Sequence, residues 1–137
     1  MPHLAFWKVA NGKNMTDNFS RGRTGNLLAS IDLDTGTITN AIARLGAKGS
    51  IDAHPTTGAR LVSLQLPSWK QTLDTVCRAA IHFPGLQLQN WDVALTDEGP
   101  VLLEVNTEAN LEIPQAVSRR GFLDGPAGAF LRQQLVP

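Results

Sequence analysis

Three side chains near the middle of the chain have the types and spacing of a hard-metal site. They are Asp92, in Gln89-Asn90-Trp91-Asp92-Val93-Ala94-Leu95-Thr96, and the pair Glu104 and Asn106, which end the run from Pro100. Between the two runs lies Asp97-Glu98-Gly99. A three-residue connection with Gly in the left-handed conformation is a favoured hairpin type. Counting back from a Thr96–Pro100 pair sets Asp92 opposite Glu104. Strand side chains alternate, so Asp92, Ala94, Leu102, Glu104 and Asn106 are expected on one face. Trp91, Val93, Leu95, Val101, Leu103 and Val105 take the other and are expected to supply core. A two-residue loop would instead send Asp92 to the face away from Glu104.

Two carboxylates directly across a strand pair repel each other. A divalent cation removes the objection. Two carboxylates and one amide oxygen make three hard ligands, and the octahedron preferred by Mg²⁺ then has room for waters and phosphate oxygens. Asp and Glu alone also fit a half-exposed hairpin whose acids face solvent, because motifs this short recur by chance.

Other residues have chemistry and a plainer explanation side by side. Arg21 and Arg23 lie in a polar loop, where guanidinium groups suit phosphate or carboxylate and also suit water. His54 precedes Pro55, which restricts it to extended backbone and lets its ring face a substrate or brace a turn. No acid stands at a recognisable spacing to make it a general base. Turn chemistry explains Asp34 beside Gly36, and Arg119-Arg120 reads as a solvated helix end. Trp7, Trp69 and Trp91 suggest stacking on nucleic acid, but such surfaces pair aromatics with a positive groove. Twelve Lys/Arg balance twelve Asp/Glu, and Trp69 and Trp91 fall on expected core faces. No nucleic-acid partner is expected.

The elements that must position these groups follow from periodicity and turn residues. Leu4 to Val9 reads as a strand and Asn11 to Asn26 as a polar, Gly-rich loop. Leu27 to Leu33 and Thr37 to Leu45 flank Asp34-Thr35-Gly36 as a second hairpin. Gly46 to Gly58 is another long connection. Trp69, Leu73, Val76, Cys77, Ala80 and Ile81 recur with helical period, so Trp69 to His82 is a helix with Ser68 as N-cap and Pro84-Gly85 as its stop. Cys77 on that stripe is expected to be a small core residue. A polar stretch follows Asn106, and a short helix near Pro126 to Leu135, anchored by Phe130 and Leu131, closes the chain. Strands in hairpins with packed helices give an α+β fold with an antiparallel sheet. The 137 residues and 42% hydrophobic content suit one domain, and no internal repeat divides it. One cysteine excludes an intrachain disulfide and a Cys-rich zinc site. No apolar run approaches the roughly 20 residues of a membrane span, and Met1-Pro2-His3 does not begin a signal peptide, so a cytoplasmic protein is expected.

The ordered series of motifs resembles the C-terminal lobe of an ATP-grasp protein, more narrowly the sugar-transfer-associated ATP-grasp group. The passages are Asp17-Asn18-Phe19, Gly25-Asn26, Asp32-Leu33-Asp34-Thr35-Gly36 and His54-Pro55-Thr56-Thr57-Gly58. They continue with Leu66-Pro67-Ser68-Trp69, Trp91 to Thr96 and Gly99 to Asn106. The resemblance implies that Asp92, Glu104 and Asn106 hold Mg²⁺ against the phosphates of ATP. It further implies nucleotide or substrate contacts by Asn18, Arg21, Arg23, His54, Leu102 and Gln115. The implied activity is carboxylate activation through an acylphosphate, then attack by an amine or similar nucleophile, with a link to polysaccharide or sugar-transfer pathways. In such proteins an earlier lobe supplies lysines and the adenine hinge. The chain is therefore expected to be an incomplete ATP-grasp fold that works with a separately encoded lobe and is inactive alone. The competing expectation is a truncated, non-catalytic remnant or interaction domain.

Overall fold

The computed structural model describes residues 1–108 and 110–135. They form two compact units, each with its own sheet. The larger unit contains His3–Gln65 and Leu111–Pro137, and the smaller contains Met1–Pro2 and Leu66–Asn110. The fold is α+β with antiparallel pairing throughout.

The larger unit is built on three strands in the order β1-β2-β3: β1 (Ala5–Val9), β2 (Leu27–Ile31) and β3 (Ile38–Ile42). All five residues of β2 are buried, as expected of a central strand whose sequence runs Leu-Leu-Ala-Ser-Ile without alternation. Helix α2 (Glu112–Ser118) packs against all three strands. Its Val117 joins Phe19, Leu28 and Ile42 in a buried cluster edged by Phe6, Leu45, Ala47 and Ile113. The sequence predicts only the end of this helix, at Arg119-Arg120 after a polar stretch, and Arg119 is its C-cap; the start at Glu112 is hidden because only seven residues form the helix and Pro114 lies in its first turn. Helix α3 (Pro126–Leu135) closes the chain over the expected residues. Its buried residues include Ala127 and Gly128, whereas Phe130 is half-buried and stacks on His3 with ring centroids 6.5 Å apart.

Asp32 is the residue that makes the turn between β2 and β3. Its Oδ1 accepts hydrogen bonds from the Thr35 amide (2.9 Å) and the Thr35 hydroxyl (2.8 Å). Gly36, at φ +74°, donates its amide to the Asp32 carbonyl. Asp34 lies within this turn as expected, and the side chain that braces it is that of Asp32. The hydroxyl and amide of Thr35, with a smaller contribution from Arg120, hold the Asp32 carboxyl below its ordinary pKa.

In the smaller unit, helix α1 (Trp69–Ala80) accompanies a hairpin of β4 (Asn90–Thr96) and β5 (Gly99–Asn106). Ser68 occupies the N-cap position but makes no capping bond with its side chain; its carbonyl accepts from the Thr72 amide and hydroxyl. Trp69, Leu73, Val76 and Ala80 are half-buried and Thr72 is buried. Cys77 and Ile81, expected on the core stripe, are exposed. The stripe is narrower than its sequence because a two-stranded hairpin is too small to cover it. Gln89 fastens the α1–β4 connection. Its Nε2 donates to the carbonyls of Ala80, Phe83 and Leu86, and its Oε1 accepts from the Trp91 indole.

Candidate functional site

The geometry of the hairpin decides whether the three oxygen donors can act together. Two residues, Asp97 and Glu98, separate the paired Thr96 and Gly99, so the connection is one residue shorter than the sequence predicts. Thr96 Oγ1 holds this end by donating to the Gly99 carbonyl (2.8 Å) and accepting from the Glu98 amide (3.2 Å). Gly99 has φ +114°, a conformation that L side chains rarely adopt, so its backbone freedom is what this end of the hairpin uses.

By alternation alone the shorter connection would separate the acids. A bulge restores them. The pairing runs Val93–Leu102 and then Asp92–Glu104, which leaves Leu103 as the additional residue. The two one-residue offsets cancel, and Asp92 stands directly opposite Glu104 as expected. Farther along, Asn90 pairs with Asn106. Glu104 and Asn106 share a side of β5, with Asn106 Nδ2 donating to Glu104 Oε1 at 3.2 Å.

The cancellation corrects the residues nearer the turn. Leu102 opposes Val93 and so belongs to the side away from Asp92, not to the acidic face. Val101 and Leu103, expected in the core, are 48% and 66% exposed. On the opposite side of the hairpin from Asp92, Trp91 pairs with Val105 and meets the Phe83 ring edge-on at 5.7 Å.

The donor set fits a hard cation. It has two carboxylates opposed across a strand pair and one amide. That amide spends its NH₂ group on Glu104, leaving Asn106 Oδ1 as the ligand oxygen. Among the described residues, no three His, Cys, Asp or Glu side chains gather as a metal group. The hairpin set has only two acids, so an ion held there would need waters or a ligand's oxygens to complete its shell.

The other candidate residues lie in the larger unit, Leu102 excepted, and several hold the chain together there. His54 Nε2 makes a 2.8 Å hydrogen bond with the Ala10 carbonyl, and its Nδ1 accepts from the amides of Thr56 and Thr57. Both ring nitrogens are therefore used in bracing the 54–58 turn against the end of β1. Gln115 donates to the Leu111 carbonyl (2.7 Å) and accepts from the Phe122 amide (2.8 Å), linking α2 to the following turn. Arg21 forms an ion pair with Glu112 at 2.7 Å. Arg23 is exposed, as is Asn18, whose carbonyl accepts from Thr24 Oγ1 and Asn26 Nδ2.

Asn26 is fully buried and organises the polar loop. It accepts from the Asn11 amide and Asn14 Nδ2, and donates to the carbonyls of Thr16 and Asn18. Nothing local to Gly25-Asn26 announces this role, since its partners lie up to fifteen residues away.

Residues 1–125 match the profile of the sugar-transfer-associated ATP-grasp family. The chain belongs to that family. ATP-grasp proteins generally use ATP and Mg²⁺, and the family implies nucleotide and carboxylate substrates. The match supports an ATP-grasp-type role in a sugar-transfer context. No curated protein and no solved structure matches the chain. Among the described residues, no helix is long and apolar enough to cross a membrane.

Proposed function

We propose that the β4–β5 hairpin is the metal–nucleotide half of a carboxylate-activating ATP-grasp site. The observation that carries this reading is the Asp92–Glu104 opposition with Asn106 beside Glu104, on a family background that uses Mg·ATP. Asp92, Glu104 and Asn106 would hold Mg²⁺, which when bound would supply neutralisation of phosphate charge during phosphoryl transfer. A substrate carboxylate oxygen attacks the γ-phosphorus, the bond from that phosphorus to the β-bridging oxygen breaks, and ADP leaves with the electron pair. An amine or similar nucleophile then attacks the acylphosphate carbon, losing a proton as inorganic phosphate departs. Contacts to adenine and the phosphate-binding lysines come from a second lobe, which also excludes water.

Calorimetric titration of the full chain with ATP, with and without Mg²⁺, tests the reading. Metal-dependent binding is expected, and Glu104→Gln should weaken it by at least about tenfold, the lower end of what losing a partner around a metal costs. Binding that ignores both Mg²⁺ and the substitution would sink the assignment. The exposure of Ile81, Val101 and Leu103 favours a second reading, an interaction domain that keeps the fold without turnover. Absence of nucleotide binding, alone and with a supplied ATP-grasp lobe, would select it.

A further inference from the structure

The two units carry opposite charge. The larger has ten Lys/Arg against six Asp/Glu, a formal +4, and the smaller has two against six, a formal −4. In the larger unit, positive side chains gather over the Phe19–Leu28–Ile42–Val117 cluster. Residues 44–48 alternate: Leu45 and Ala47 pack on the cluster, while Arg44, Gly46 and Lys48 face solvent. Arg119 reaches this segment and donates to the Lys48 carbonyl at 2.9 Å. From the other side, Gly22 lies against Ala43 and Arg44, so closely that an added Cβ would overlap the Ala43 carbonyl oxygen and sit 2.6 Å from Arg44 Cβ. That approach carries Arg21 and Arg23 to the same region. Ser20, Arg21 and Gly22 all have positive φ (46°, 59° and 94°), a conformation that non-glycine residues adopt reluctantly.

We propose that this band, formed by Arg21, Arg23, Arg44, Lys48 and Arg119, binds an acidic glycan, a sugar chain bearing carboxylates. Guanidinium groups match planar carboxylates in fork geometry. A carboxylate already occupies one of them, since Arg21 Nη2 donates to Glu112 Oε2 at 2.7 Å. Several exposed cations suit a repeating anion better than a single small one. The family's association with sugar transfer points to sugar as the backbone that carries those anions. The inference concerns a different surface from the hairpin and does not depend on Mg·ATP binding there.

The test is calorimetric titration of the full chain, at low ionic strength and without nucleotide, with oligomers of polygalacturonate. Saturable binding that weakens as salt is raised is expected. Arg44→Ala combined with Lys48→Ala removes two exposed ionic contacts and should weaken it roughly two- to thirtyfold. Arg23→Glu should weaken it as well. Thermal melts of both variants establish that they fold. Unchanged affinity in folded variants would overturn the proposal, as would equal binding of neutral dextran. Tighter binding of polyphosphate or an oligodeoxynucleotide than of polygalacturonate would also overturn it, by assigning the band to phosphate.

Discussion

The larger unit buries Leu27, Leu28, Ile38, Ile42 and Val117 almost completely, whereas the smaller leaves Ile81, Val101 and Leu103 largely in water. One sheet has three strands and a helix lying across them; the other has two strands with a single helix beside them. A three-stranded sheet gives its middle strand neighbours on both edges, so β2 is buried along its whole length. A hairpin has only edges. Stability and candidate chemistry are therefore housed apart. The buried residues that resist unfolding cluster in one unit, and the acids proposed to hold a metal stand on the lightly buried other.

The strongest way to break that contrast is to remove the same atoms from each unit. Leu28→Ala should cost about 2–5 kcal/mol in urea unfolding, as truncations in closed cores do. Leu103→Ala, on the exposed bulge, should stay within about 0.5 kcal/mol. Equal losses would mean that the bulge is buried in solution and the comparison is wrong. Next in size is Asn26→Leu, which removes the partner of the Asn11 amide and of the Thr16 carbonyl, while the Asn18 carbonyl keeps Thr24 Oγ1. A buried donor left without a partner costs about 1–3 kcal/mol, and the Asn11 amide is part-buried, so the same measurement should detect a loss toward the lower end of that range.

Glu104→Gln sharpens the contrast from the other side. Without metal it removes repulsion between opposed carboxylates, so stability should hold or rise by roughly 0.2–1 kcal/mol. A clear fall in the metal-free melting temperature would assign Glu104 a structural role instead. The smallest effect concerns Asp32. Its folded pKa is depressed by the Thr35 hydrogen bonds, so its stabilising contribution is complete above the unfolded value of about 3.9. It is lost as pH falls through the folded value. The stability difference between the wild type and Asp32→Asn should shrink over that interval, and a difference that persists below it would argue that the turn does not need the charge.

Some of the site was legible because neighbouring residues write it. Alternation and the Gly99 turn led to the Asp92–Glu104 opposition, although the turn was one residue too long and the compensating bulge was unseen. A bulge depends on how one strand bends beneath whatever packs on it, and the alternating pattern does not encode that bend. His54 and Gln115 show what residue type alone leaves out. Their types suit ligand contact, and the structure adds hydrogen bonds that brace turns, the one from His54 reaching forty-four residues back to Ala10. Of the helix at Glu112 only the end, at Arg119-Arg120, was legible, since seven residues with an internal proline gain their helicity from packing on the sheet.

By itself, the sequence determined the order of the strands, the helices at Trp69 and Pro126, the motif series that marks the family and, through two offsets that cancel, the opposition of the two acids. These rest on backbone preference and period, which act over a few residues. Only the tertiary structure decided that Cys77, Val101 and Leu103 face water, that Leu102 lies away from the acids and that Asn26 is a buried hub. It alone brought Arg119 onto the Lys48 carbonyl, Gly22 against Arg44 and Arg21 onto Glu112. Burial and long-range contact are properties of what lies across a surface, and the chain places those partners only when it folds.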